Sequence, residues 1–248
     1  MRFDVITLFP ELFAPFLTEG ITRRAFESGQ VDVHLSNPRD FAEGNYSRVD
    51  DRPFGGGPGM VLMAEPLQRC LLQLRSQRTD SAPVVLFSPL GQTFKQSAVE
   101  RWATSSGAIL ICGRYEGLDQ RFIDTHIDEQ ISLGDFVLSG GEIAAMALLD
   151  TIARLQAGVL SDAESHQQDS FNPAIDGLLD CPHYTRPETW GDQTVPAVLL
   201  SGHHAQIERW RRDQSLMLTA RLRPDLIEKA RSRGDLSPQD EACLAKMA

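Results

Sequence analysis

The chain has no apolar run long enough to cross a membrane. Stretches such as Ala108 to Cys112 and Ile143 to Leu149 fall far short of the roughly 20 residues that a spanning helix needs. The start lacks the charged region and long apolar segment of a secretory leader; Met1-Arg2-Phe3-Asp4-Val5-Ile6-Thr7-Leu8 alternates instead and reads as a first strand. Cysteine is scarce: Cys70, Cys112, Cys181 and Cys243 are widely spaced and form no Cys-x-x-Cys pair, which argues against a disulfide framework or a zinc site and fits a reducing cytoplasm. The six histidines show no metal-ligand spacing, and adjacent His203 and His204 would point apart on a helix. The segment Gly55-Gly56-Gly57-Pro58-Gly59-Met60 lacks the lysine of a phosphate-binding P-loop, and Met60 stands where a dinucleotide fingerprint would end in glycine. By itself it reads as a mobile surface loop. Internal repeats and low-complexity tracts are missing too.

What is present is 248 residues, 42% hydrophobic and 23% charged, enough to bury a core and to form one domain of ordinary size plus a smaller one. The net charge of -10 disfavours a surface that coats nucleic acid, but charge is unevenly spread. Tyr115 to Asp192 carries fifteen acids against Arg121, Arg154 and Arg186, whereas Ser201 to Arg233 carries eight bases against four acids. That basic segment suits either an RNA contact or a set of solvated helix faces.

Short β-branched or apolar runs recur at Phe3 to Leu8, Val31 to Leu35, Val84 to Phe87, Ala108 to Cys112 and Glu129 to Leu133. Segments of helical period alternate with them: Ala64 to Gln73, Gln96 to Thr104, and Gly141 to Gln156 with its stripe of Ile143, Ala144, Ala147, Leu148 and Ile152. The alternation predicts an α/β fold with a largely parallel sheet. After Leu160 a polar stretch without periodicity reads as a linker, and amphipathic segments at Ile207 to Leu218, Pro224 to Arg231 and Gln239 to Met247 predict a small helical C-terminal domain. The expected division is 1–160, a linker at 161–175, and 176–248.

Three further glycine-bearing segments, Gly113-Arg114-Tyr115-Glu116-Gly117, Leu133-Gly134-Asp135 and Leu138-Ser139-Gly140-Gly141-Glu142, follow predicted strands. Ligands of open α/β sheets bind at the carboxyl ends of strands, where glycines permit close backbone approach. Singly these segments read as tight turns; together they leave a nucleotide-like ligand equally open. Arg154, ending an apolar helix, reads by itself as a complement to the helix dipole, and Asp169, in the polar linker, as a solvated or turn-forming acid.

These segments, with Thr7-Leu8-Phe9-Pro10, Tyr46 to Met60, Ser88-Pro89-Leu90-Gly91, Asp169-Ser170-Phe171 and His183-Tyr184-Thr185-Arg186-Pro187, closely resemble the bacterial tRNA (guanine-N1)-methyltransferase family in order and spacing. The resemblance implies a SPOUT-type α/β domain with a deep trefoil knot, which topology rules alone would disfavour. It implies S-adenosylmethionine as methyl donor, held by Leu86, Phe87, Ser88, Pro89 and Leu90, by Gly113, Arg114, Tyr115, Glu116 and Gly117, and by Ser132, Leu133, Gly134, Phe136, Leu138, Gly140 and Gly141. Phe136 stands where several relatives carry tyrosine, which keeps the ring and removes a hydroxyl. The implied target is the guanine at position 37, next to the anticodon, in the anticodon stem-loop of tRNA. Asp169 matches the base that removes the N1 proton, Arg154 the cation that stabilises charge at O6, and Glu116 a residue beside donor and target. An obligate homodimer with sites between subunits is implied as well. Magnesium is associated with activity in the family, but no isolated carboxylate cluster marks a site for it, and no metal ligand is assigned. A knotted methyltransferase of ribose or another base fits Asp169 and Arg154 less well, and a non-catalytic RNA-binding protein would not need the set Arg154, Asp169 and Glu116.

Overall fold

The computed structural model describes residues 1–160 and 165–246 and divides into two compact units, Met1–Ser161 and Asp162–Ala248. The first unit is built on five strands: β1 (Arg2–Ile6), β2 (Asp32–Ser36), β3 (Val84–Thr93), β4 (Gly107–Ile111) and β5 (Glu129–Ser132). They lie in the order β2-β1-β4-β3-β5, with every pairing parallel. Parallel sheets are covered on both faces, which is why the central strands read as nearly unbroken apolar runs.

The faces separate by the two-residue period of a strand. Phe3, Val5, Val85, Phe87, Ala108 and Leu110 point into one core. There they meet Trp102 from α2 (Gln96–Ala103) and Ala144, Ala145, Leu148, Leu149 and Ile152 from α4 (Glu142–Ala153). Ile6, Val84, Leu86, Ile109 and Ile111 point the other way, onto Leu67, Cys70, Leu71 and Leu74 of α1 (Ala64–Ser76) and Phe122 of α3 (Gln120–His126). Asp4, fully buried in β1, is held by Arg2 at 2.7 Å and Arg78 at 2.6 Å. Burying that charge is tolerable only because it is paired.

In the second unit α5 (His204–Leu222), α6 (Pro224–Arg233) and α7 (Pro238–Leu244) pack around Leu178, Leu216, Ile227 and Ala230. Gly234, in the left-handed conformation, ends α6, and Ser237 with Asp240 forms a capping box at the start of α7. Part of the expected linker, 161–164, lies outside the described residues, as does Met247 at the expected end of the last helix. The rest of that linker holds two short 3-10 turns, Ser165–Gln168 and Pro173–Ile175.

Candidate active site

Three loops meet, one bulging from within β3 and two leaving the carboxyl ends of β4 and β5. In β3 the register jumps: Phe87 and Gln92 both face Ile131 of β5, so Ser88 to Gly91 is pushed out of the ladder. Pro89 has no N–H to offer a ladder. Leu90 donates its N–H to the Ser88 hydroxyl, and Gly91 returns the chain to β5 so closely that a Cβ would sit 2.4 Å from the Gln130 carbonyl carbon and the Ile131 nitrogen. After β4, Gly113 to Gly117 turns through a left-handed Tyr115. After β5, Leu138 to Gly141 runs back beside that turn: Arg114 and Gly140 form an antiparallel bridge, and the Gly141 N–H donates to the Gly113 carbonyl at 3.0 Å. A Cβ on Gly141 would stand 2.8 Å from the Cys112 Cα.

The loops enclose a half-open cavity of about 390 Å³. Every residue expected to hold the methyl donor lines it: Leu86 to Leu90, Gly113 to Gly117, Ser132 to Gly134, Phe136, Leu138, Gly140 and Gly141. Much of its wall is backbone. Its rim is apolar and exposed, at Leu90, Tyr115, Phe136 and Val137. Beneath it, burial pushes the Cys112 thiol well above its ordinary value, so this cysteine supplies no thiolate nucleophile.

Arg114 braces the two loops. Its Nε donates to Glu142 Oε1 at 3.1 Å, its Nη1 to the Ser139 carbonyl at 3.1 Å, and its guanidinium lies 4.5 Å from the Phe9 ring centroid. Glu142, buried in the first turn of α4, also accepts from the Thr7 hydroxyl at 2.9 Å. Its Oε2 is 3.0 Å from Arg114 Nη2, within ion-pair distance although not aligned as a hydrogen bond. Sequence reasoning missed Glu142 and Thr7 because the contact joins residues far apart in the chain.

Glu116 sits where a second loop docks. Its N–H donates to the Met60 carbonyl at 2.9 Å, and the Leu62 N–H donates to the Gly117 carbonyl at 2.9 Å. Gly59, at φ +82, leaves the space that the Glu116 side chain fills; a Cβ there would be 2.4 Å from Glu116 Oε1. The glycine-rich segment is therefore no free surface loop at its C-terminal end, although Gly55 to Gly57 face open space and Phe54 is fully exposed.

Arg154 caps the end of α4 in the first unit and is half-buried. Asp169 belongs to the second unit, half-buried after the Ser165–Gln168 turn, with its N–H on the His166 carbonyl at 3.3 Å.

A model of the family described as tRNA (Guanine-1)-methyltransferase TrmD matches residues 1–229. The chain belongs to that family. This tRNA (guanine-1)-methyltransferase family member is an enzyme. It is 76% identical to the tRNA (guanine-N(1)-)-methyltransferase of Albidiferax ferrireducens, over 99% of both chains. Its identity to the like-named proteins of Polaromonas sp. and Paracidovorax citrulli is 70% and 69%, over all of this chain and 97% and 98% of theirs.

The basic segment of this family member is less available than its composition suggests. Arg209 pairs with Asp213 and Asp240, and Arg212 with Asp176 and Asp240. Arg223 and Lys229 pair with Asp225, Arg231 with Glu241, and Arg233 with Asp235. Of the eight bases, only Arg211 and Arg221 have no ion-pair partner among the described residues.

Proposed function

We propose that this protein transfers a methyl group from S-adenosylmethionine to N1 of the guanine at position 37 of tRNA, in the cytoplasm. The observation that carries the reading is the convergence of three glycine-bearing loops on one cavity in a chain that matches the methyltransferase family over residues 1–229. A pocket walled largely by backbone can read an adenine edge through N–H and C=O groups, and the absence of a Cβ at Gly140 and Gly141 lets that wall close, with the Arg114 side chain and the Cys112 backbone packed where a Cβ would stand. The bound donor supplies a methyl carbon already activated by its sulfonium.

The chain's own residues then have two tasks, orientation and proton removal. Guanine N1 carries a proton at neutral pH, so its lone pair is unavailable until a base removes that proton. Asp169 accepts it. Negative charge develops towards O6, where the planar fork of Arg154 stabilises it better than an ammonium would. Glu116, held by its backbone bond to Met60, orients the target at the cavity mouth. The target base lies in a loop of the anticodon stem-loop, so it can be splayed out and read along its Watson-Crick edge.

The same reading carries the family's deep trefoil knot into the α/β unit, assigns 1–160 to donor binding, 161–175 to a linker and 176–248 to tRNA contact, and makes the working form a homodimer with shared sites. The exposed apolar rim of the cavity supports the last point, since it is surface that a partner and a substrate base would cover. Magnesium takes oxygen ligands. Among the described residues the group of potential metal ligands is Asp180, Cys181 and His183, and a thiol with an imidazole does not suit that ion.

The experiment is mass spectrometry of unmodified tRNA after incubation with protein and donor. A single added methyl on the guanine after the anticodon is expected; a methyl on ribose or another base would overturn the reading.

A further inference from the structure

A carboxylate, a thiol and an imidazole meet in the extended segment that follows Leu178 in the second unit. Asp180, Cys181 and His183 each offer one ligand atom, and the three atoms lie within 4.8 Å of one another. Asp180 is the hub. Its Oδ2 is 2.8 Å from His183 Nε2, and its Oδ1 accepts the Cys181 N–H, which holds the Cys181 side chain beside the same carboxylate. The Asp180 N–H in turn donates to the Ser170 hydroxyl at 2.9 Å, which fixes the hub against the segment carrying Asp169.

Thiol sulfur, imidazole nitrogen and carboxylate oxygen thus converge on one point, where a cation could bind all three. We propose that Asp180, Cys181 and His183 form a binding site for one divalent cation of the zinc class. Mixed sulfur, nitrogen and oxygen donors select zinc or cobalt over magnesium or calcium, which take oxygen ligands. Coordination would release the thiol proton to solvent and leave the imidazole protonated at Nδ1, with Nε2 on the metal. Three protein ligands leave a tetrahedral position open. Asp180 and Cys181 line a cavity of about 470 Å³ together with Gln167, Glu208 and Ser215, so a water can complete the set. Arg211 borders the same cavity, and its guanidinium must turn aside from a bound cation. The sequence hides the site because its residues follow none of the usual zinc spacings.

The test uses the full, untagged protein, stripped with a chelator and titrated with Co²⁺ alone. Sulfur-to-cobalt charge-transfer absorption with tetrahedral visible bands should saturate at one equivalent per chain, be displaced by Zn²⁺, and persist in excess Mg²⁺. Cys181→Ser should abolish the charge-transfer band. His183→Asn should weaken binding by more than about tenfold, since even loss of an outer-shell partner has that scale. Cys243→Ser should change neither. Thermal melting of the metal-free variants checks their folding; if Cys181→Ser does not fold, Zn²⁺ calorimetry on His183→Asn, whose ring is exposed, decides. Absence of the band, its survival in Cys181→Ser, its loss in Cys243→Ser, or unchanged Zn²⁺ affinity in His183→Asn would each overturn the proposal. Methyl transfer plays no part in these readouts, so their failure leaves the proposed activity untouched.

Discussion

Replacing Glu142 by alanine should destabilise the first unit and loosen the proposed donor cavity together. The carboxylate is 2% exposed and faces the Arg114 guanidinium at 3.0 Å, whose side chain is 18% exposed. Removing one partner of a buried pair typically costs ~3 to 5 kcal/mol because the other charge is left uncompensated. Arg114 keeps the Ser139 carbonyl, the Phe9 ring and some water, which places the expected loss at the lower end, about 3 kcal/mol. For a domain of this size each kcal/mol lowers the melting temperature by roughly 2 to 4 °C, so a fall of about 6 to 12 °C is expected in scanning calorimetry. The donor should also bind more weakly, because Arg114 and Glu142 fasten the two loops whose bridge at Gly140 forms the cavity wall. The double variant Glu142→Leu with Arg114→Met removes both charges and should recover much of the stability. An unchanged melting temperature in Glu142→Ala, or a double variant no more stable than the single one, would refute the brace.

Asp169→Asn should retain donor binding by calorimetry and lose turnover by a factor of ~10² to 10⁴, the usual worth of a general base. Near-normal turnover at saturation would remove Asp169 from that role. Arg154→Lys keeps the charge at the end of α4, so a large fall in turnover with little change in melting is expected, and unchanged activity would leave only a helix-capping role. Mixed dimers of Asp169→Ala with Gly140→Trp, purified through two tags, should regain activity if each site is shared between subunits, and none if each is built within one chain. Arg211→Ala with Arg221→Ala should lower the salt dependence of tRNA affinity by close to two phosphate contacts, about 0.7 to 0.9 each in the log-log slope, whereas Arg231→Ala should leave it unchanged. Burial pushes the Asp240 carboxyl up, but hydrogen bonds from Arg212 and the Ser237 N–H and the ion pair with Arg209 overcome this and hold it at about 2. A carboxyl depressed on folding stabilises fully above its unfolded value near 3.9 and less as pH falls towards 2, so Asp240→Asn should flatten the acid loss of thermal stability between pH ~4 and ~2.

The sheet was legible because strands buried on both faces must be apolar along their whole length, as Val84 to Phe87 and Ala108 to Cys112 are. The return of β3 at Gln92 and Thr93 was not, since those residues are polar and partly or fully exposed and only the backbone of Gly91 fixes the register. Helix α3 went unread because Phe122 is its one buried residue, which gives no periodicity. The residues that line the cavity could be named from motif resemblance, but the docking of Gly59 and Met60 on Glu116 rests on backbone bonds that leave no trace in residue type. Part of the arginine pairing was hidden for a similar reason. Asp213 stands four residues from Arg209 and was readable, whereas Asp176, Asp240 and Glu241 reach their partners from distant parts of the chain.

Those pairings bear on how quickly RNA finds the protein. A guanidinium closed against a carboxylate acts at a distance as a small dipole, and beyond a screening length of about 8 Å its field is slight. An approaching tRNA therefore meets, over most of its path, the field of a molecule with net charge -10 rather than that of a cationic helix. Long-range attraction speeds encounters only where unpaired charge of the right sign extends over a surface. Capture here depends on short-range fit once the partners touch, and the association rate should be modest even in dilute buffer.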